Sequence, residues 1–143
     1  PNHFKSKRGG NDDDSQKRRH AQAALAATLA KKALAITPLV LLGGDLNDTP
    51  DSAALAPLFA DGFVDVQDHP SYPTDRPGTY NTGTAGNKID YLILSPAMRA
   101  ALTGTGIERR GTYHPRLWDA FDTVTETADE ASDHHLVWAD FEV

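Results

Sequence analysis

The chain contains no cysteine. Disulfide frameworks, cysteine-ligated zinc and thiol nucleophiles are therefore excluded, while the redox compartment stays open. It also lacks any run approaching the roughly 18–20 apolar residues that a spanning helix needs. It has no secretory leader pattern and opens on Pro1-Asn2-His3 rather than on Met, which reads as a fragment or a processed chain. No internal repeat is present. The 143 residues suffice for one domain and not for two. The composition, 39% hydrophobic and 24% charged, is that of a polar globular protein rather than a disordered one.

Negative charge predominates, with a net charge of −6, but it is unevenly placed. Residues 1–36 carry eight Lys/Arg and three Asp/Glu, and residues 37–143 carry six and seventeen, so +5 is followed by −11. That asymmetry fits a phosphate-contacting edge beside a cation-binding centre, and equally two solvated surfaces.

The pattern of elements alternates between α and β. Residues 11–15 form a polar turn able to cap a helix. From residue 16 to about 36, Leu25, Leu29, Ala33 and Ile36 recur at helical spacing among helix-favouring alanines, which predicts a helix with this apolar stripe. Leu39 to Leu42 reads as a short buried strand between Pro38 and Gly43-Gly44. Thr49-Pro50-Asp51 has the form of a cap, a proline at the first turn and an acidic residue, opening a helix to about Leu58. Residues 63–66 read as a strand and residues 68–87 as a long loop. Residues 88–94 read as a strand, with Ile89, Tyr91 and Ile93 on one face and Asp90, Leu92 and Leu94 on the other. Ser95-Pro96 starts a short helix. Residues 104–131 are irregular, with a strand at about 107–110. Leu136 to Val143 is a last strand, with Val137, Ala139, Phe141 and Val143 on one face.

Four segments carry residues suited to chemistry, and each also has a plainer reading. Gly43-Gly44-Asp45-Leu46-Asn47-Asp48 follows a strand, at the edge where open α/β sheets bind ligands. Asp45 and Asn47, two apart in extended chain, share a side. Together they can hold a hard cation and donate to a phosphate oxygen, or simply close a polar turn. Ser132-Asp133-His134-His135 precedes the last strand and offers a carboxylate and a proton acceptor active near neutral pH, or an exposed turn. His135 points away from His134 if the strand starts there. Asn2-His3-Phe4-Lys5-Ser6-Lys7-Arg8 sets a histidine among cations, as an anionic substrate or an ordinary solvated terminus would have it. In Asn87-Lys88-Ile89-Asp90-Tyr91, Asp90 needs a partner if buried, or faces water at a sheet edge.

In their order along the chain, His-Phe-Lys-Ser-Lys, Gly-Asp-Leu-Asn-Asp-Thr-Pro, Lys-Ile-Asp-Tyr-Leu and Ser-Asp-His-His resemble the endonuclease/exonuclease/phosphatase family. That family includes pancreatic-type deoxyribonucleases, abasic-site endonucleases, neutral sphingomyelinases and inositol polyphosphate phosphatases. The first stretch looks most like bacterial nuclease-like members, many of them secreted. The resemblance implies an α/β sandwich of two mainly antiparallel sheets flanked by helices, in four layers. It implies metal-dependent phosphodiester hydrolysis, most readily of DNA or RNA, with phosphatase or sphingomyelinase-like activity as the alternative. Mg²⁺ is the expected cofactor, with Mn²⁺ or Ca²⁺ as variants.

By the same resemblance, His3 matches a histidine that contacts the scissile phosphate or assists the leaving group. Asp45 matches a carboxylate that orients the attacking water and touches metal, and Asn47 an amide that stabilises the phosphate. Asp90 matches an aspartate that orients a catalytic histidine. Asp133 matches a metal-binding or histidine-orienting carboxylate, and His134 a histidine that activates water or contacts phosphate. Lys5, Lys7, Arg8 and the Lys17–Arg19 run are candidates for the nucleic-acid backbone. No stable protein partner and no membrane span are expected, and a secreted or cell-envelope location is. The family's first half, which supplies an early Asn and a Glu metal ligand, has no counterpart here. The 143 residues are thus expected to be the C-terminal part of a single such domain, inactive alone if that ligand is indispensable.

Overall fold

A computed structural model describes residues 1–7 and 13–142. Arg8, the proposed capping residues Asn11 and Asp12, and Val143 lie outside the described residues. In chain order the strands and α-helices are β1 (Asn2–His3), α1 (Asp13–Leu34), β2 (Leu41–Asp45), β3 (Val64–Asp65), β4 (Asp90–Leu94), α2 (Pro96–Ala101), β5 (Leu102–Glu108) and β6 (Leu136–Phe141). The first sheet has the order β1-β2-β4-β3, parallel between β1 and β2 and antiparallel elsewhere, and β5 and β6 form an antiparallel pair. This is the mixed α/β architecture with two mainly antiparallel sheets that the sequence resemblance implied.

Alternation along β4 divides the interior. Tyr91 and Ile93 face a core shared with Phe4, Val40, Leu46, Leu55, Leu58, Phe63 and α1. Leu92 and Leu94 face a second core with Val66, Tyr72 and Leu102. There Val137, Ala139 and Phe141 line the inner side of β6, as its pattern predicted. Helix, sheet and sheet therefore stack in that order.

The buried face of α1 is not its leucine stripe. Ser15, Arg19, Ala23, Ala26 and Ala30 are buried, whereas Leu25 and Leu29 are 61% and 54% exposed. Both stripes have helical spacing, so periodicity alone does not choose between them. Arg19 decides the rotation: its Nε donates to Asp48 Oδ2 at 2.9 Å and its Nη1 to the Lys5 carbonyl at 3.1 Å. The alanines beside it then let the helix lie close to the sheet. We expect Ala26→Leu to cost about 1–3 kcal/mol through overpacking, and Leu25→Gln to change stability by less than about 0.5 kcal/mol. Urea unfolding of the two variants measures both.

Other boundaries move for identifiable reasons. The helix expected from Thr49 is a series of tight turns, with i to i+3 bonds at Ser52, Leu55 and Leu58, leading into a 3₁₀ segment, Ala56–Gly62. Pro57 has no N–H with which to continue an α-helical ladder. Strand β2 runs through Gly43-Gly44 to Asp45 instead of stopping at Leu42. Gly44 has φ +143°, and a Cβ there would sit 1.9 Å from the Asn2 carbonyl oxygen. Only glycine lets β1 approach so closely. Strand β5 begins five residues earlier than expected, because pairing with β6 carries its Gly and Thr positions. No described helix is long and apolar enough to cross a membrane.

Candidate active site

Strand register builds the first half of the site. His3 of β1 is the register partner of Asp45 of β2, and Asp45 is the partner of Asp90 of β4. Three candidate side chains therefore stand in one row across the sheet, at the carboxyl ends of β1 and β2. His3 Nε2 is 3.5 Å from Asp45 Oδ2. Two carboxylates directly opposite one another repel, so each needs donors.

Asp45 takes its donors from the turn that follows. Asn47 adopts φ +53°, a left-handed conformation that Asn tolerates better than most residues. Its backbone N–H donates to Asp45 Oδ1 and its Nδ2 to Asp45 Oδ2, both at 2.8 Å, and Nδ2 also reaches the Phe4 carbonyl at 3.1 Å. Burial raises the Asp45 pKa above the ordinary carboxylate value, and nearby Asp90 adds to the rise, against the lowering effect of the Asn47 N–H. Both amide hydrogens of Asn47 are engaged, so contact with a phosphate requires it to release one of them.

Asp90 takes its donors from two distant loops. Thr79 Oγ1 donates to Asp90 Oδ2 at 2.7 Å. His134 Nδ1 lies 2.9 Å from Oδ2 and 3.1 Å from Oδ1. A carboxylate accepts, so Nδ1 carries the proton and Nε2 is the ring nitrogen left to take one. Tyr80 holds the other side of His134, paired with it through an isolated β-bridge and with ring centroids 5.1 Å apart.

His3, Lys7, Asp45, Asn47, Asp133 and His134 line one cavity of about 540 Å³, and Tyr80 also faces it. The sequence candidates thus converge from three separated segments, and Asp90 meets the cavity through His134. Lys7 enters the cavity with its ammonium on Asp48 Oδ1 at 2.6 Å. Burial pushes the Asp48 carboxyl up, yet hydrogen bonds from Lys7, Ser52 and Arg19 hold it below its ordinary value. Lys5 donates to the Ser6 carbonyl at 2.7 Å and lines an adjoining groove with His3 and Arg18. Arg19, offered as a backbone contact, is fully buried on Asp48 and cannot meet a substrate. Lys17 and Arg18 are exposed.

The carboxylates do not complete a cation site. Asp45 and Asp133 line the same cavity, but among the described residues no group of three His, Asp or Glu is placed to hold a metal ion. Each Asp45 oxygen accepts one hydrogen bond from Asn47 and keeps a further lone pair, whereas the Asp90 oxygens are turned to Thr79 and His134. Mg²⁺ takes octahedral oxygen coordination but keeps several waters and needs only one or two protein carboxylates beside a substrate phosphate, so Asp45 and Asp133 fit as part of its shell without completing it.

His135 has a structural place. It is buried, its Nε2 lies 2.9 Å from the Asn81 carbonyl and its ring stands edge-on to Trp118. Burial, with Arg109 and His114 nearby, pushes its pKa from the ordinary 6.5 down to about 4. The unfolded chain therefore takes up a proton before the native one does, and stability falls as pH drops from 6.5 toward 4. Comparing urea midpoints at pH 7 and pH 5 is expected to show that drop, and His135→Asn is expected to reduce it.

Three contributors carry no site signal in the sequence. Thr79 is fully buried and donates to Asp90. Tyr80 backs the catalytic-type histidine, and Lys88 is buried behind Asp90. No local pattern marks them, since their partners come from elsewhere in the chain.

No curated protein and no solved structure gives a significant match to the chain. The model of the endonuclease/exonuclease/phosphatase family matches residues 6–134, a span that holds Asp45, Asn47, Asp90, Asp133 and His134. The chain belongs to the endonuclease/exonuclease/phosphatase family, whose general chemistry is phosphodiester hydrolysis.

Proposed function

We propose that the chain is the C-terminal part of a metal-dependent nuclease domain that hydrolyses phosphodiesters of DNA or RNA. The observation that carries this reading is the Asp90–His134 pair opening onto the cavity that also holds His3, Asp45, Asn47 and Asp133. A phosphodiester is anionic and repels hydroxide, so hydrolysis needs a base for water and positive groups for the phosphate. His134, with Nδ1 tied to Asp90, takes the proton of the attacking water at Nε2. Asp45 orients that water, and the Asn47 amide turns toward the phosphate. His3 contacts the scissile phosphate or protonates the leaving oxygen. Lys7 adds positive charge at the cavity wall.

A polymeric substrate is favoured by the groove beside His3, where Lys5 and Arg18 give a basic track leading into the cavity. The expected cofactor is Mg²⁺, with Mn²⁺ or Ca²⁺ as alternatives; Asp45 and Asp133 would contribute carboxylate oxygens to it and would supply charge neutralisation for the phosphate there. A secreted or cell-envelope location rests on the sequence resemblance alone.

The test compares supercoiled plasmid, RNA, sphingomyelin and small phosphomonoesters as substrates for the full-length protein. Nucleic-acid cleavage that EDTA abolishes and Mg²⁺ restores is the expected result. Turnover of lipid or phosphomonoester alone replaces the nuclease reading. No turnover of any of them at high Mg²⁺ marks an inert chain.

A further inference from the structure

The hydrogen bonds of Thr79 account for all the capacity of its hydroxyl. Thr79 is fully buried at the base of the residue 68–87 loop. Its Oγ1 accepts from the Asp90 N–H at 2.9 Å and the Ile89 N–H at 3.2 Å. A hydroxyl has two lone pairs and one proton. With both lone pairs taken, the proton has one place to go, Asp90 Oδ2 at 2.7 Å. The direction of this bond is therefore fixed by the backbone at Ile89 and Asp90, where β4 begins, and does not depend on the state of the cavity.

The main chain of Thr79 binds the other partner. Its carbonyl accepts from the His135 N–H at 2.7 Å, and its own N–H donates to the Asn87 carbonyl at 3.0 Å. The next residue, Tyr80, is bridged to His134. One buried residue thus holds the Asp90 carboxylate by its side chain and the His134-His135 segment by its backbone. Asp90 and His134 are 44 positions apart in the chain, and Thr79 is the short covalent link between the two sets of bonds.

We propose that Thr79 is a positioning residue for the Asp90–His134 pair: its hydroxyl fixes the carboxylate orientation that keeps the proton on His134 Nδ1. The proposal rests on the reading of His134 as the base, and it deepens that reading. Without the hydroxyl, Asp90 loses a donor on Oδ2, and the main-chain N–H groups of Ile89 and Asp90 lose their acceptor. The carboxylate then turns, and Nδ1 ceases to be the favoured protonated nitrogen.

The experiment is ¹⁵N NMR of histidine-labelled full-length protein, because ring nitrogen shifts distinguish protonated from bare nitrogen. The unsubstituted protein is expected to show His134 protonated on Nδ1. Thr79→Val is expected to show a mixture of tautomers, and Thr79→Ser to restore the single pattern. Turnover is expected to follow, with kcat for Thr79→Val down about 10- to 100-fold and KM changed by less than about twofold. An unchanged nitrogen pattern in Thr79→Val overturns the proposal, whatever happens to turnover, since a purely structural threonine leaves the tautomer alone. Should Thr79→Val not fold, exchange of the Thr79 hydroxyl proton in the unsubstituted protein decides the matter. Protection from water supports the proposal, and rapid exchange overturns it. Failure of the hydrolase reading shows separately, as turnover retained in His134→Ala.

Discussion

His134→Ala is expected to lower phosphodiester turnover by about 10²–10⁴-fold, the contribution of a positioned general base, while the far-UV circular dichroism stays native. The argument is geometric. His134 is half-buried and exposed on the cavity side, with Nδ1 on Asp90, so its ring is oriented but not part of either core. Truncating it removes a base and little packing. Asp90→Asn is expected to approach the same loss by a different route, because an amide nitrogen facing Nδ1 favours the wrong tautomer. Asp133→Asn is expected to lower turnover by orders of magnitude as well, with folding retained, since Asp133 is exposed. Steady-state kinetics on the three variants, with thermal unfolding as the control, measures each effect.

Lys88→Met is expected to destabilise the fold by about 3–5 kcal/mol, the cost of leaving a buried charge without its partner. Lys88 is 1% exposed and its Nζ lies 2.8 Å from Asp65 Oδ2, itself on a buried side chain. The same ammonium donates to the Asp90 carbonyl at 2.5 Å and sits 3.6 Å from the centroid of the Tyr91 ring. Burial dominates both titrations, raising Asp65 and lowering Lys88. The pair therefore holds through its close contact, and neither member keeps its charge comfortably without the other. Lys88→Met combined with Asp65→Leu is expected to recover much of the loss, because a buried ion pair is worth little more than well-packed apolar groups. Urea midpoints for the single and double variants decide between this account and a surface lysine, which would change stability by less than about 0.5 kcal/mol.

What the sequence made legible follows from range. Asp45 and Asn47 are readable because their bond spans two residues and sits at a strand end. Asp90 stands out as a charge on an apolar strand face, and Ser95-Pro96 caps α2 as written, with Ser95 Oγ accepting from the Met98 N–H at 3.3 Å. The pairing of Asp90 with His134 is not local and came from the resemblance, with Asp133 as the competing partner. The buried face of α1 was not legible because the residue that sets it, Arg19, answers to Asp48, 29 positions away. Strand β5 was misplaced because glycine and threonine carry little strand signal until β6 lies beside them. The basic start also changes meaning: Arg19 is buried on Asp48, and Lys7 pairs with the same carboxylate from the cavity wall.

The central claim is that the Asp90–His134 cavity hydrolyses nucleic-acid phosphodiesters. Its most direct test is the rate of supercoiled plasmid cleavage by the full-length protein in Mg²⁺, beside that of His134→Ala at equal folded concentration. The account expects cleavage by the unsubstituted protein and a rate at least about 100-fold lower in the variant. Equal rates in the two proteins would contradict it.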